Sequence, residues 1–251
     1  MTELYLDCSM GCAGDMLSAA LFELCPEKEK VIEKLNSAGI PGIRFTPEKT
    51  SSCGITGTHM RVEYNGEEEH QGEYGHDEGC HHHHAGLKEI CGLISTLDLE
   101  PEVKEQAAAA YRLIASAEAR VHGKEMDSIH FHELGTMDAV ADVAAVSYMM
   151  YVLKPDRVTA SRIRAGCGTV RCAHGIMPVP APATALLLIG MPVFAGDIEC
   201  EMCTPTGAAL LKNFVTEFGR MPDMTMTAVG YGMGSRQFDR PNCVRAILGE
   251  S

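Results

Sequence analysis

The stretch at residues 128–142, SIHFHELGTMDAVAD, concentrates side chains of the types that bind divalent metals. These side chains are His130, His132, Glu133, Asp138 and Asp142. Imidazole and carboxylate groups are ligands that divalent first-row metals take in proteins, which indicates a metal or substrate site. In a structural alternative, Asp138 complements the dipole at a helix start and the histidines bind backbone groups. Asp142 would then pair with an arginine such as Arg162 or Arg164.

The same stretch predicts the elements that position these side chains. A strand through Ile129 to His132 would put both histidines on one face and Phe131 on the other, because side chains alternate along a strand. Gly135 and Thr136 end this strand. No charged residue occurs from Val143 to Leu153, which predicts a buried helix. The two aspartates are four residues apart at the mouth of this helix, where an unpaired carboxylate is costly and needs a neutralising partner.

The opening of the chain predicts a turn that binds an anion. A short apolar strand at Leu4 to Asp7 precedes Gly11 and Gly14, and a helix is then predicted from Asp15 to about Leu24. Free N–H groups and the positive end of the helix dipole would face a ligand there. The alternative is a plain capped turn, because the glycine spacing completes neither a dinucleotide nor a P-loop fingerprint. The candidate catalytic carboxylates are Asp7, Asp15 and Glu133.

Two later segments are also candidates for binding an anion. Thr204 as a cap and Pro205 in the first turn predict a helix that reaches about Phe218 and whose free N–H groups could hold a phosphate. The run GYGMG at residues 230–234 predicts a backbone nest, with a β-bulge or a hairpin bend as the alternative. The candidate cofactor-binding residues are Gly11, Gly14, His174, Thr204, Thr206, Gly232 and Arg236.

Residues 66–86 predict a mobile loop that binds metal. This segment has six acids, six histidines and no aliphatic side chain larger than Ala, so it cannot build a core. Its consecutive histidines are His81, His82, His83 and His84. Such a run would gather Ni²⁺ or Zn²⁺ through imidazole. The alternative is a solvated linker that binds metal only opportunistically.

The sequence leaves the roles of His174 and of the cysteines open. His174 follows a glycine-rich turn and is either a further imidazole of the metal site or a satisfied core histidine. Cys200 and Cys203 have the spacing of a metal-binding or redox pair but stand without a second pair. The eleven cysteines are odd in number and irregularly spaced, which indicates reduced thiols rather than a disulfide framework.

Length and charge limit the class of protein. A chain of 251 residues can bury one large core, and alternating strands and helices predict a single layered α/β domain over residues 1–251, with a mixed sheet flanked by helices. The net charge of −13 argues against nucleic acid or an anionic membrane as a partner. Neither a long apolar run nor a basic leader is present, which predicts a cytoplasmic protein. A homo-oligomer stays open.

Several motifs, in order, resemble the amino-terminal half of the LarC family of nickel-insertion proteins. They are YLDCSMGCAGDM, the histidine run followed by LKEI, HFHELGTMDAVADV, CGTVRCAHGIMPVPAPAT, TPTGAALL and YGMGSRQFDRPNCVRAILGE. The resemblance runs from about Leu4 to Glu250. It departs from the family at Met10, where a serine is usual, and at Cys200 and Cys203, where the family usually lacks cysteine.

The resemblance implies an activity, cofactors and partners. A LarC protein is a chelatase of the lyase class that loads nickel into pyridinium-3,5-bisthiocarboxylic acid mononucleotide, the precursor of the nickel-pincer cofactor of lactate racemase. The reaction depends on CTP with Mg²⁺ or Mn²⁺, and CTP is bound by a carboxy-terminal domain. This chain stops before such a domain, so the resemblance implies a separate carboxy-terminal LarC-type domain or subunit as a partner. It also favours His174 as a site residue over a core residue.

Two other functions compete with nickel insertion. In a metallohydrolase, His130, His132, Asp138 and Asp142 would hold a catalytic ion that activates water. In a nickel or zinc store, the histidine-rich segment alone would suffice. Imidazole and carboxylate bind nickel reversibly, whereas a thiolate cage would compete with a sulfur-containing acceptor. Insertion therefore fits the histidines and aspartates better than the cysteines.

Overall fold

The computed structural model describes residues 1–68, 85–131, 135–172 and 174–251. The helices are α1 (Gly14–Leu24), α2 (Lys28–Ser37), α3 (Leu87–Thr96), α4 (Pro101–His122), α5 (Met137–Leu153), α6 (Pro182–Leu187) and α7 (Pro205–Phe214). The strands are β1 (Thr2–Asp7), β2 (Ile43–Ser52), β3 (Ile55–Tyr64), β4 (Glu67–Glu68), β5 (Arg157–Ala160), β6 (Ile163–Arg164), β7 (Thr169–Cys172), β8 (Gly175–Pro178), β9 (Val193–Phe194), β10 (Glu217–Phe218), β11 (Thr225–Met233) and β12 (Cys243–Glu250).

The strands build a mixed sheet in the order β10-β5-β1-β12-β11-β3-β2, with β4 paired to β3. β1, β5 and β10 are mutually parallel, and β12 lies antiparallel between β1 and β11. β3 runs parallel to β11 and antiparallel to β2. The pairs β6–β9 and β7–β8 form separate two-stranded sheets. The predicted α/β class with a mixed sheet is confirmed.

The helices pack closely on the sheet and on one another. α1 lies along β11, and α5 lies against both α1 and α4. A Cβ at Gly232 would collide with Met16 O, and one at Gly230 would collide with Ala20 O, so only glycine allows α1 this close to β11. α5 is buried from Ala139 to Ser147, which confirms the predicted buried helix. Among the helices of the described residues, none is long and apolar enough to cross a membrane.

Two predicted boundaries differ from the structure. α7 ends at Phe214 rather than Phe218, because Glu217–Phe218 forms β10 beside β5. The sequence from Arg157 to Ile163 predicts one continuous strand, but β5 ends at Ala160. Ile163 instead begins β6, which pairs with β9. In both places a tertiary pairing partner, rather than the local sequence, sets the end of the element.

The predicted strand from Ile129 to His132 is wrong in the part that the structure describes. A 3₁₀ turn precedes Ile129, and His130 forms an isolated β-bridge to the start of α3. Ile129 and Phe131 are buried and His130 is exposed, so the side chains alternate without a strand. The ring of Phe131 meets the ring of Tyr111 in α4 edge-on at 6.0 Å. Packing against helices therefore holds this segment in place.

Other predicted features lie outside the described residues. They are the histidine-rich segment at residues 69–84, with His81, His82, His83 and His84, and the residues His132 and Glu133. Their mobility and their roles stay predictions.

Candidate functional site

The amino ends of α1, α5 and α7 meet at the carboxyl end of β1. Cys12, just before α1, forms a parallel β-bridge with Cys203, just before α7. The Cys12 N–H donates to Met202 O at 2.9 Å, and the Thr204 N–H donates to Cys12 O at 3.0 Å. Asp142 of α5 lies against the first turn of α1. Ligands of open α/β sheets bind outside the carboxyl ends of strands, so this edge is the candidate site.

Glycines allow the helix starts to come this close. Gly11 has φ +95°, and a Cβ there would collide with Met202 O. A Cβ at Gly207 would collide with Cys12 O, and one at Gly14 would collide with the Asp142 carboxylate. The Gly11 N–H donates to the carbonyl of residue 8, so part of the predicted anion cradle is already satisfied within the protein. Ligand contacts by Gly11 and Gly14 stay predictions.

A small cleft of about 50 Å³ opens between the starts of α1 and α7. Its lining includes Asp15, Glu201, Thr204, Arg236 and Asn242. The Thr204 hydroxyl accepts a hydrogen bond from Gly207 N–H at 3.2 Å, which confirms the predicted cap. Arg236 Nη1 donates to Glu201 O at 3.5 Å, which keeps the guanidinium beside the cleft. The structure thus brings together Asp15, Thr204 and Arg236, which the sequence singled out on three distant segments.

Asp142 is a buried carboxylate beside other acids. Its residue is 4 % exposed, and its Oδ1 has no hydrogen-bond partner among the described residues. Burial raises the pKa of Asp142 well above its usual range, and the nearby carboxylates of Asp138 and Asp15 raise it further. A hydrogen bond from the Asp15 backbone N–H opposes this rise. The group is therefore held as a neutral acid unless a cation displaces its proton.

The arginine pairing considered for Asp142 is wrong. Arg164 donates to Ser9 O at 2.8 Å and to Asp197 Oδ1 at 2.9 Å. Arg162 lies over the Phe194 ring at 4.4 Å. Both guanidinium groups lie over the Phe194 ring of β9, because β6 pairs with β9 and Arg162 directly precedes β6.

The metal ligands predicted around Asp142 are only partly within the described residues. Asp138 is half-buried in the first turn of α5, where Thr136 caps the helix by accepting from Ala139 N–H at 3.4 Å. His130 is exposed. Over residues 1–67, 85–131, 135–172 and 174–251, no three His, Cys, Asp or Glu side chains are arranged to hold a metal ion. Roles for His130, His132, Glu133, Asp138 and Asp142 as metal ligands stay predictions.

His174 lies between β7 and β8, where it is exposed, so the core alternative for this residue is wrong. Its ring lies 4.8 Å, centroid to centroid, from the ring of His122 at the end of α4. Glu118 Oε2 lies 3.3 Å from His122 Nε2. Sequence patterns alone do not single out His122, because its partner is 52 positions away along the chain.

Asp7 is engaged with its neighbours at the end of β1. It accepts from Arg245 Nη2 at 2.7 Å and from Ser9 N–H at 3.1 Å. Burial acts to raise its pKa, but the hydrogen bonds from Ser9 and Arg245 outweigh burial and hold the pKa below its usual value. Asp7 is therefore a structural ion-pair partner on β1, and a catalytic role for it stays a prediction.

The backbone nest predicted at residues 230–234 is not formed. Gly230 and Gly232 lie in the extended strand β11, where both are buried under α1. The requirement for close helix packing, rather than for an anion, explains these glycines. Thr206 is buried in the first turn of α7 at 7 % exposure. Ligand contacts by Gly232 and Thr206 stay predictions.

A cluster of buried thiols, which sequence reasoning missed, lies on the other side of the same turn. Cys8, Cys12 and Cys203 are completely buried. A hydrogen bond with Cys8, burial, and the proximity of Cys203 all raise the pKa of Cys12. Cys203 faces these thiols, whereas Cys200 Sγ contacts Met202 Sδ at 3.4 Å. The ten cysteines that the structure describes are all free, as predicted for reduced thiols.

Comparison with known proteins gives matches along the whole chain. Residues 4–251 match the family described as nickel insertion protein. The chain is 38% identical over 251 residues to the pyridinium-3,5-bisthiocarboxylic acid mononucleotide nickel insertion protein of Geobacillus kaustophilus, and 40% identical over 251 residues to that of Clostridium kluyveri. These alignments cover 100% of this chain but 60% and 62% of the two relatives. No solved structure matches the chain.

Proposed function

The chain belongs to the nickel insertion protein family, and we propose that it binds Ni²⁺ and delivers it to pyridinium-3,5-bisthiocarboxylic acid mononucleotide. Nickel is here the substrate that is handed over. The observation that carries the proposal is the position of Asp15. Its side chain lines the cleft between α1 and α7, while its backbone N–H bonds the buried Asp142. A nucleotide held in the cleft would therefore lie beside the carboxylates that bind the metal.

The carboxylates supply the metal side of the proposed site. Asp138 and Asp142, with His130 and His132 from the preceding segment, are oxygen and nitrogen ligands suited to reversible binding of Ni²⁺. Because the pKa of Asp142 is raised, metal binding would release its proton. Glu133 would act beside these ligands. The histidines 81–84 would raise the local concentration of the ion.

The cleft supplies the nucleotide side of the proposed site. The Arg236 guanidinium and the amino ends of α1 and α7 favour an anion there and must outweigh the carboxylates of Asp15 and Glu201 in the same lining. A volume of about 50 Å³ encloses a phosphate-sized group rather than a whole mononucleotide. The pyridinium ring would then lie outside the cleft.

The chemistry of the transfer favours these ligands over the thiols. Sulfur ligands of the acceptor bind nickel more tightly than carboxylate and imidazole, so the ion moves towards sulfur. Burial, together with neighbouring thiols, keeps Cys12 and Cys203 protonated, and a protonated thiol is a poor metal ligand. The buried cysteines would therefore not hold the ion back.

Replacement of Asp142 tests the metal side. We expect Asp142→Asn to lower the affinity for Ni²⁺ by at least about tenfold in calorimetric titration. The metal-free variant should be no less stable to urea, because a buried acid without a full set of partners has been removed. The matched control is Asp197→Asn, an exposed acid bound to Arg164 and Arg240. Unchanged nickel affinity in Asp142→Asn would contradict the proposed function.

CTP dependence is proposed to reside in the part of the relatives that these residues do not match. The chain spans about 60% of the length of its relatives, so we assign CTP binding, with Mg²⁺ or Mn²⁺, to a carboxy-terminal LarC-type domain or subunit. Mixing this chain with such a domain should give CTP-dependent nickel insertion, measured by the absorbance of the nickel-bound nucleotide. Full CTP-dependent activity from the 251 residues alone would contradict this division of labour.

A further inference from the structure

The end of α4 and the β7–β8 turn place two imidazoles in contact at the surface. The ring centroids of His122 and His174 are 4.8 Å apart, and the rings are tilted by 38°. His174 is exposed, and the His122 side chain is 25% exposed, so an ion can reach both. We propose that His122 and His174 together form a two-imidazole binding point for Ni²⁺, separate from the Asp142 carboxylate cluster.

Glu118 sets the donor atom that His122 offers. It lies one turn earlier on α4, and its Oε2 is 3.3 Å from His122 Nε2. With its proton on Nε2, beside this carboxylate, His122 would present Nδ1 to an ion. Carboxylates that receive the second ring N–H of a metal-binding histidine fix the ring and raise its basicity in this way. Glu118 is thus a positioning residue.

The pair lies at a distance from the Asp142 cluster. Tyr111 of α4 lies near the Asp142 cluster. Burial raises the pKa of Tyr111, and the charges of Asp142 and Asp138 raise it further. His122 is eleven residues further along the same helix, or about 16 Å at 1.5 Å per residue. The pair is therefore an outer binding point, from which the ion would pass to the inner carboxylates.

The proposal depends on the proposed function only for the identity of the ion. The test uses the full chain with the histidines of residues 70–84 replaced by serine, so that the histidine-rich segment does not mask weaker binding. In this background we expect His122→Ala and His174→Ala each to lower Ni²⁺ affinity by about tenfold. The double replacement should be little worse than either single one, because both imidazoles bind one ion. Glu118→Ala should give a smaller loss.

Imidazole NMR spectra locate the ion directly. Substoichiometric Ni²⁺ should broaden the signals of His122 and His174 together, before that of His59, whose Nδ1 lies 3.1 Å from Met233 O on another part of the fold. His59→Ala is the matched control for affinity. Equal broadening of all three signals, or a loss below twofold for both single replacements, would overturn the proposal. If the pair binds Ni²⁺ but Asp142→Asn leaves nickel binding and insertion unchanged, the proposed function fails while the binding point stands.

Discussion

Two buried clusters flank the start of α1, and they differ in what burial leaves unsatisfied. On one side Cys12 and Cys8 share a side-chain hydrogen bond with Cys203 nearby, and the thiols of Cys8 and Cys203 lie 3.9 and 3.8 Å from backbone carbonyl oxygens. On the other side Asp142 lies beside Asp138 and Asp15, with one oxygen that lacks a hydrogen-bond partner in the described ranges.

The difference explains why the two clusters suit different roles. Burial raises the pKa of Cys203 and of Asp142, and a hydrogen bond with Cys8 together with burial raises that of Cys12, so these three groups are held neutral. Burial of a neutral thiol in an apolar interior costs little free energy, because the thiol behaves as a small hydrophobe. A buried carboxyl group with an open acceptor retains a cost that a bound cation would remove. The carboxylates, rather than the thiols, are therefore the groups that we propose as ligands.

The largest expected effect comes from separating the helix starts that carry both clusters. In Gly207→Ala the added Cβ would collide with Cys12 O. This oxygen belongs to the backbone, so it cannot move away by a side-chain rotation. We expect a loss of about 3 kcal/mol in the free energy of unfolding, measured in urea. The control is Gly92→Ala within α3, where nothing lies within 4 Å of the added Cβ and stability should rise slightly. Equal effects of the two changes would show that the close approach at Cys12 is not important.

The pH dependence of stability distinguishes the carboxylate cluster from the thiols. Because the pKa of Asp142 is raised on folding, the folded state retains a proton that the unfolded chain loses above about pH 4. Its contribution to stability is complete below the unfolded pKa and declines as pH rises towards the folded pKa. The decline is at most about 1.4 kcal/mol per pH unit. Urea denaturation of metal-free protein above pH 4 should show this loss, and Asp142→Asn should flatten it. An unchanged slope in the variant would assign the titration to another group.

How far sequence predicts this site depends on how far apart its parts lie along the chain. The Thr204 cap and the buried helix after Asp142 follow local rules, and both were predicted. The contact between Cys12 and Cys203, and that between His122 and His174, join segments that no local pattern relates. The nest predicted at residues 230–234 is absent, and the prediction failed because a glycine that makes room for a helix and one that makes room for an anion look alike in sequence. The strand at residues 129–132 failed because alternation of side chains does not by itself supply a pairing partner.

A smaller effect should come from the thiol cluster. Cys203→Ala removes a completely buried sulfur, and we expect a loss of about 1 kcal/mol in the free energy of unfolding. Nickel affinity should stay as in the unmodified chain, in contrast to Asp142→Asn. Calorimetric titration beside urea denaturation measures both quantities. A fall in nickel affinity without loss of stability would show that the thiols bind the ion, and the comparison between the two clusters would then break down.

The smallest effect on stability should come from replacement of Arg236, which lines the cleft and belongs to neither cluster. Its guanidinium has a long contact to Glu201 O at 3.5 Å, so Arg236→Ala should leave the unfolding free energy nearly unchanged. Affinity for inorganic phosphate and for a pyridinium mononucleotide should fall by about tenfold, because a charged donor to an anion is lost. The control is Arg240→Ala, whose guanidinium is bound to Asp239 and Asp197 outside the cleft. Isothermal titration of both variants with each ligand decides the matter. Equal losses in the two variants would mean that the general charge of this surface, and not the cleft, attracts the anion.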